Sequence, residues 1–418
     1  MIFKSNEKLF IGETEKFKFY FVEGDVPSNS LHDLFKVKTH KDGEGTVLIP
    51  TLKFPLSVNA LPCFTYKFDK NLNKNVYVEN FHDFSHGFVH ARNYFQDHFR
   101  NSHDLDIVVF DHGYDTDPFP GGRIYFFEGN DNKFKENNDF LPYPQSFVFG
   151  GCSGDWDGDG YPELMVFNLF YRDLTVSLFL KNDLGQKMIS AKERMPKLIN
   201  DRKYIPLSGT KFKDSEGRLH LALGSLGNDF QSESEIILRN NGQGYFLDKD
   251  IKNFPKRRMG DDWCCLEMKT VNFNQDASPE GILALYHDAK VNDGYVEFYE
   301  QSNDCEFFFN EKMPPVFETH GAWISRMGLV KIDKDSKGND GVLLLKARGL
   351  QEFTLQEYYI TLLKFDIEKK EFMDLTEQMA PLKGKEFINY VEIENGNKNK
   401  SDFIFIDPIG NQYFCESK

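Results

Sequence analysis

The chain has 418 residues, 40% of them hydrophobic and 42 of them phenylalanine, and carries a formal charge of −15. That length fits two or three ordinary domains or one large repeat array, and the apolar content is ample for a core. The acidic balance argues against nucleic acid as a partner and suits cation binding, and no run of 18 apolar residues exists, so no membrane span is expected.

The N-terminal segment Met1–Lys8 lacks the apolar stretch of a signal peptide. A cytoplasmic address is expected if the chain is whole, and a secreted or surface-exposed one if a leader has been removed. Cys63, Cys152, Cys264, Cys265, Cys305 and Cys415 follow no CxxC spacing and read as reduced, mostly buried thiols, with no zinc site.

Along the chain, short apolar strands follow polar loops rich in Asp, Asn and Gly. They fall at 47–49, 107–109, 164–166, 221–223, 282–284, 342–344 and 403–405, about 60 residues apart. A period that long, filled with strands and turns, indicates a β-propeller. Unit three reads as four strands, at 146–152, 164–168, 175–181 and 186–190, with a short helix allowed at 190–198. Unit four repeats them at 205–212, 219–224, 235–239 and 244–247. The last unit supplies 387–394, 402–407 and 412–416 and stops one strand short. The apolar run Phe17–Phe21 is the candidate for the missing outer strand, which would remove an open edge. The expectation is therefore all-β: one seven-bladed propeller with four-stranded blades, closed by an N-terminal strand within residues 1–30. Its blades would span about 31–80, 81–140, 141–198, 199–250, 251–312, 313–378 and 379–418.

Unit three also holds the strongest motif, Asp155-Trp-Asp157-Gly-Asp159-Gly-Tyr161-Pro-Glu163. Carboxylates stand at positions 1, 3, 5 and 9, a backbone carbonyl at 7 (Tyr161) and a glycine at 6. Hard oxygen donors at this spacing suit Ca²⁺, and converging carboxylates repel one another without a cation. Position 12 is Val166, inside an apolar strand, so the loop joins strand to strand rather than helix to helix.

The matching loops elsewhere are poorer. Unit five offers Asn272, Asn274, Asp276, Ser278 and Glu280 but has Ala277 where glycine is wanted, so a second ion there is left open. Unit six has Asp333 and Asp335 with Lys337 at the third position. Unit two has His98, Arg100 and Ser102 before Asp106 and reads as metal-free. Unit four (Asp214, Glu216, His220), unit one (His40, Asp42, Glu44) and unit seven (Glu392, Glu394, Asn397, Asp402) are degenerate.

Residues 86–170 resemble the FG-GAP/VCBS repeat, the calcium-loop propeller repeat also found in integrin α-subunits, and most closely its bacterial VCBS form. The resemblance rests on the loop 155–163, on His90-Ala-Arg92 and on Asp111-His112-Gly113-Tyr114-Asp115-Thr-Asp-Pro118-Phe119-Pro120-Gly121. It departs from the pattern in unit two, where the Asp-rich run has become 98–106. It implies a propeller with structural Ca²⁺ and no particular activity, since this fold carries many functions.

In a four-stranded blade the loop after the first strand and the loop after the second lie at opposite ends. The face away from the calcium loop would then gather His90, Arg92, Asp111, His112, Tyr114, Asp115, Arg172, Arg258, Trp263, His287, His320 and Trp323. Arginine forks bind carboxylate or phosphate, tryptophan stacks on sugars, and His/Asp pairs move protons. The same residues also suit hydrogen-bonded turns. Nucleophile motifs (GxSxG, SxxK, HExxH) and phosphate loops are absent. The first reading is a calcium-stabilised binding module for a glycan or a protein partner on that face. The alternatives are a polysaccharide lyase or hydrolase using His90, Arg92 and His112 with His287 or His320, and a scaffold in a protein assembly.

Overall fold

In a computed structural model the described residues are 8–22, 35–38, 46–49, 65–69, 74–78, 91–100, 104–113, 123–130, 133–142, 148–168, 176–181, 187–226, 234–258, 263–273, 281–288, 293–302, 305–309, 322–333, 338–348, 359–387, 389–394 and 401–418. They form an all-β propeller. The chain opens with β1 (Leu9–Glu13), β2 (Phe17–Val22), β3 (Phe35–Lys38), β4 (Thr46–Ile49), β5 (Thr65–Asp69) and β6 (Lys74–Val78). Blade I follows with β7 (Ala91–Asp97), β8 (Asp106–Asp111), β9 (Ile124–Asn130) and β10 (Lys133–Glu136). Blade II comprises β11 (Val148–Gly154), β12 (Glu163–Asn168), β13 (Val176–Lys181) and β14 (Met188–Ser190), trailed by the short helix α1 (Lys197–Asn200). Blade III holds β15 (Pro206–Lys213), β16 (Leu219–Ser225), β17 (Ile236–Asn240) and β18 (Phe246–Asn253); blade IV, β19 (Cys264–Val271), β20 (Gly281–Asp288), β21 (Asp293–Gln301) and β22 (Phe307–Phe309). In blade V the strands are β23 (Ala322–Val330), β24 (Gly341–Arg348), β25 (Ile360–Asp366) and β26 (Glu371–Asp374). Blade VI joins β27 (Asn389–Glu394), β28 (Ser401–Ile406) and β29 (Gln412–Ser417) to β2 and then β1.

The blade number corrects the sequence reading: among the described residues the structure has six blades, not seven. The segment expected as a first blade (31–80) gives two separate two-stranded hairpins, β3–β4 and β5–β6. Pro50, Pro55 and Pro62 lie in the sequence between β4 and β5. Strands β4 and β5 lie side by side, but at four and five residues each is short, and no ladder joins them among the described residues. The hairpins stand between blades VI and I, with β3 beside both β27 and β7. Closure by the N-terminal strand does occur: Phe17 pairs with Ser417 and Val22 with Gln412. Strand β1 adds an unforeseen fifth strand outside it, bulged between Phe10 and Gly12.

The second strands of the six blades are apolar and buried on both faces, so the core lies between neighbouring blades rather than inside any one of them. Met165 and Phe167 of blade II pack with Leu221, Leu223 and Ile236 of blade III, and Phe17 and Phe19 pack with Leu343 and Leu345 of blade V. One contact repeats with the period of the chain. A Cβ at Gly151 would stand 2.8 Å from Phe110 of the preceding blade, and a Cβ at Gly209 would stand 2.8 Å from Phe167. The second strand of one blade thus presses a phenylalanine ring onto a glycine in the first strand of the next. Polar bonds between first strands hold the same seams: Lys211 Nζ donates to the Ser153 carbonyl, and Ser208 Oγ to that of Cys265. Cys152, Cys264, Cys265, Cys305 and Cys415 are free thiols, and burial pushes Cys152 up to about 12, far from a reactive thiolate. No helix among the described residues is long and apolar enough to cross a membrane.

Candidate functional site

The loop between β11 and β12 is bounded by sequence on both sides. Gly154 ends one strand, Glu163 starts the next, and Gly158 and Gly160 take left-handed φ values of 79° and 88°. Those two turns direct the Gly158 and Gly160 N–H groups onto the Asp155 carboxylate, at 2.8 and 3.0 Å. The Asp157 carboxylate accepts the Asp159 N–H at 3.3 Å, and that of Asp159 accepts the Tyr161 N–H at 2.8 Å. The Tyr161 ring lies under Lys181 Nζ. Carboxylate oxygens of Asp155, Asp157, Asp159 and Glu163 all come within 4.8 Å of one another.

Glu163 is the buried member of the group, 3% exposed, and accepts the Trp156 N–H at 2.6 Å. Burial pushes its carboxyl up to about 8, and Asp157, Asp159 and Asp155 push in the same direction. The donor set is all oxygen, with one carboxylate buried and one exposed, which matches a hard cation. These are the residues expected from sequence, and the fold brings their side chains together.

In blades I, III and V the described residues supply the protein's own cations to the equivalent loops. In blade I, Asp106 opens β8 as Glu163 opens β12, and it is fully buried. Arg100, three residues into the loop, bonds the Asp106 carboxylate through its backbone N–H (3.1 Å) and Nε (2.9 Å), then reaches Glu128 and the Gly129 carbonyl. Burial still pushes the Asp106 carboxyl upward, against the pull of Arg100. In blade V, Asp340 accepts the Ile332 and Asp333 N–H groups, while Asp333 is bracketed by Lys16 (2.8 Å) and Lys364. In blade III the loop is shorter. Asp214 takes Arg218 Nε at 2.8 Å and His220 Nε2 at 3.0 Å, and although burial works against it, these bonds hold its carboxyl down at about 2.

Asp214, His220 and Cys305 also place donor atoms within 4.8 Å of one another. The hydrogen bonds rule this trio out as a metal site. His220 Nδ1 accepts the Asn240 N–H at 3.0 Å, so the ring proton is on Nε2, pointing at Asp214, and Nε2 offers no lone pair. Burial also keeps this imidazole neutral by lowering its pKa against the pull of Asp214. Asn240 carries the contact onward, since its Nδ2 donates to the Trp156 carbonyl at 2.6 Å. The blade III hairpin is therefore bonded to the blade II loop.

At the opposite ends of the strands, the described residues expected to meet a ligand are largely turned inward. Asp111 and His112 are both fully buried. The Asp111 carboxylate accepts the Gly113 N–H at 3.0 Å in a turn where Gly113 has φ 83°, and the His112 ring meets Phe149 at 4.4 Å. Trp263 is buried edge-on to Tyr295 at 4.7 Å. Arg258 bonds Glu297 at 3.0 Å and lies over Phe309, and its neighbour Arg257 forms a wholly buried pair with Glu235. His287 is half-buried, and its carbonyl accepts the Cys264 thiol. Arg92 and Trp323 lie on the first strands of blades I and V. His90, Tyr114, Asp115, Arg172 and His320 lie outside the described residues, as does most of the second loop, 274–280.

Sequence reading missed Arg194, Asn240, Lys16, Lys364 and the Arg257–Glu235 pair. Their partners lie 22 to 317 residues away, so spacing gives no sign of them. The Asn-Asn-Gly-Gln-Gly run at 240–244 reads as a turn, but not as one that grips a neighbouring blade.

No family model matches the chain. No curated protein matches it either. Among solved structures, one of BBS1N in complex with ARL6DN, soaked with mercury, covers 79% of this chain and 93% of its own, at 10% identity and a TM-score of 0.34. A likeness that loose carries no functional argument.

Proposed function

We propose that this chain is a binding propeller stapled by one divalent cation, Ca²⁺ by its donor set, and that its ligand is a protein. The observation that carries the cation reading is the contrast between loops. Blades I, III and V neutralise their loop carboxylates with Arg100, with Arg218, and with Lys16 and Lys364, whereas in blade II four carboxylates converge and Arg194 meets one of them, Asp157. Tyr161, at position 7, would add its carbonyl.

Support for a protein partner comes from exposed apolar side chains on the face away from that loop. Leu9, Phe10 and Ile409 are 63, 53 and 69% exposed. Leu9 pairs with Phe21 near the end of β2, and Ile409 lies in the turn between β28 and β29, at the same end of blade VI. Apolar side chains left in water at one edge favour a protein surface over a sugar. Of the residues that the polysaccharide-enzyme reading names, His112 is fully buried against Phe149, and His90 and His320 lie outside the described residues.

Protein stripped with EDTA and dialysed against equal Ca²⁺ and Mg²⁺ should retain about one Ca²⁺ per chain, and Asp157→Ala should retain none. Equal retention by both proteins sinks the cation reading. A photo-crosslinker at position 10 should trap one protein species that is lost in Leu9→Asp. A glycan-panel hit without any protein crosslink would move the ligand to carbohydrate.

A further inference from the structure

We infer that Arg194 is the resident counter-ion of the blade II loop and sets how tightly a divalent cation binds there, an inference that rests on the cation reading above. Arg194 ends the 3-10 turn after β14, outside the motif itself. Its Nη1 donates to Asp157 Oδ2 at 3.0 Å and reaches the Gln243 carbonyl at 3.4 Å, while the guanidinium lies 4.9 Å over the Tyr245 ring. The blade III hairpin is shaped around this group. Gly244 has φ 77°, and a Cβ there would stand 2.8 Å from Arg194 Nη1 and 3.0 Å from Asp157 Cβ.

Arg194 differs from Arg100 in how much of the loop it satisfies. Arg100 saturates a buried carboxylate from inside its own loop. Arg194 approaches from outside and meets one oxygen of one of the four carboxylates, so it offsets their repulsion without filling the space between them. An incoming divalent ion must share Asp157 with this guanidinium or displace it, and in either case a fixed positive charge opposes binding. Where displacement occurs, the contacts to Gln243 and Tyr245 loosen, and the blade II–III seam responds to the ion.

The test is calorimetric titration of EDTA-stripped protein with CaCl₂, on wild type, Arg194→Ala, Arg194→Gln and Arg194→Lys. Removing the charge should tighten binding roughly tenfold, the scale of a divalent ion and a unit charge about 6 Å apart in a water-like medium. Arg194→Gln keeps a hydrogen-bond donor without charge and should shift the same way, which guards against a folding defect in the alanine variant. Arg194→Lys should stay within about twofold of wild type. Calcium binding to wild type with unchanged or weaker binding in the neutral variants would overturn the counter-ion role and leave Arg194 as a positioning residue. Absence of calcium binding in all four proteins would overturn the cation reading itself, and this inference with it.

Discussion

Blades I and II solve one electrostatic problem in two ways. Both open their second strand with a buried acid, Asp106 or Glu163, that turns back to accept a loop N–H. Blade I then supplies its cation from the chain, and Arg100 is locked by the Asp106 and Glu128 carboxylates and the Gly129 carbonyl. Blade II replaces that arginine with Asp157, 57 residues on, and adds Asp155 and Asp159, with Arg194 meeting Asp157 alone, so on the reading proposed above the remaining positive charge would come from solution. The lesson is that one loop geometry can hold its buried acid with a side-chain cation from within the chain or with converging carboxylates. A built-in cation makes the blade indifferent to its medium, whereas a borrowed one makes it responsive.

The largest effect should come from breaking the built-in version. Arg100→Met strands the fully buried Asp106 and should lower stability by about 3 kcal/mol, and Asp106→Asn on top of it should recover much of the loss. Chemical denaturation of the two variants checks this, and a loss of the same size in both would mean the pair matters through packing alone. The buried pair Arg257–Glu235, with side chains 1 and 0% exposed, should behave alike when either partner is truncated.

A pH profile sharpens the comparison further. In EDTA, the folded-state value for Glu163 lies near 8, against a reference of 4.5. The folded protein therefore holds a proton that the unfolded chain releases, and this contribution is present at low pH and is lost as pH rises from about 4.5 through 8. Melting temperature in EDTA should fall across that window, and Glu163→Gln should flatten the fall. Asp214 has the opposite sign: held down at about 2 by His220 and Arg218, it adds stability above pH 4 that disappears on acidification toward 2. Because its partners Arg218 and His220 belong to the protein, the Asp214 effect should ignore EDTA. The smallest expected effect is at the exposed apolar edge, where Phe10→Asp should change stability by less than about 0.5 kcal/mol while removing partner binding.

Much of this fold was legible in the sequence. Strands with a period of about 60 residues and a missing last strand led to four-stranded blades and to the pairing of 17–22 with 412–417. Blade number was not legible, because strand-like runs at 35–38, 46–49, 65–69 and 74–78 look alike whether or not their hairpins share a ladder. The acidic loop was readable because its donors are contiguous. Its neighbours were not: Arg194 meets Asp157 from 37 residues away and Asn240 meets Trp156 from 84, across a seam that only folding creates. On the opposite face, residue type suggested ligand contact for Asp111, His112 and Trp263, but burial is set by packing against Phe149 and Tyr295, which composition does not display.

The measurement that bears most directly on the borrowed-cation account is a set of melting curves for wild type and Asp157→Ala in EDTA, in Ca²⁺ and in Mg²⁺. The account predicts a calcium-specific rise for wild type, about 2 to 3 kcal/mol at a calcium level 100 times the dissociation constant, and none for Asp157→Ala. Superposable wild-type curves in EDTA and saturating calcium would contradict it.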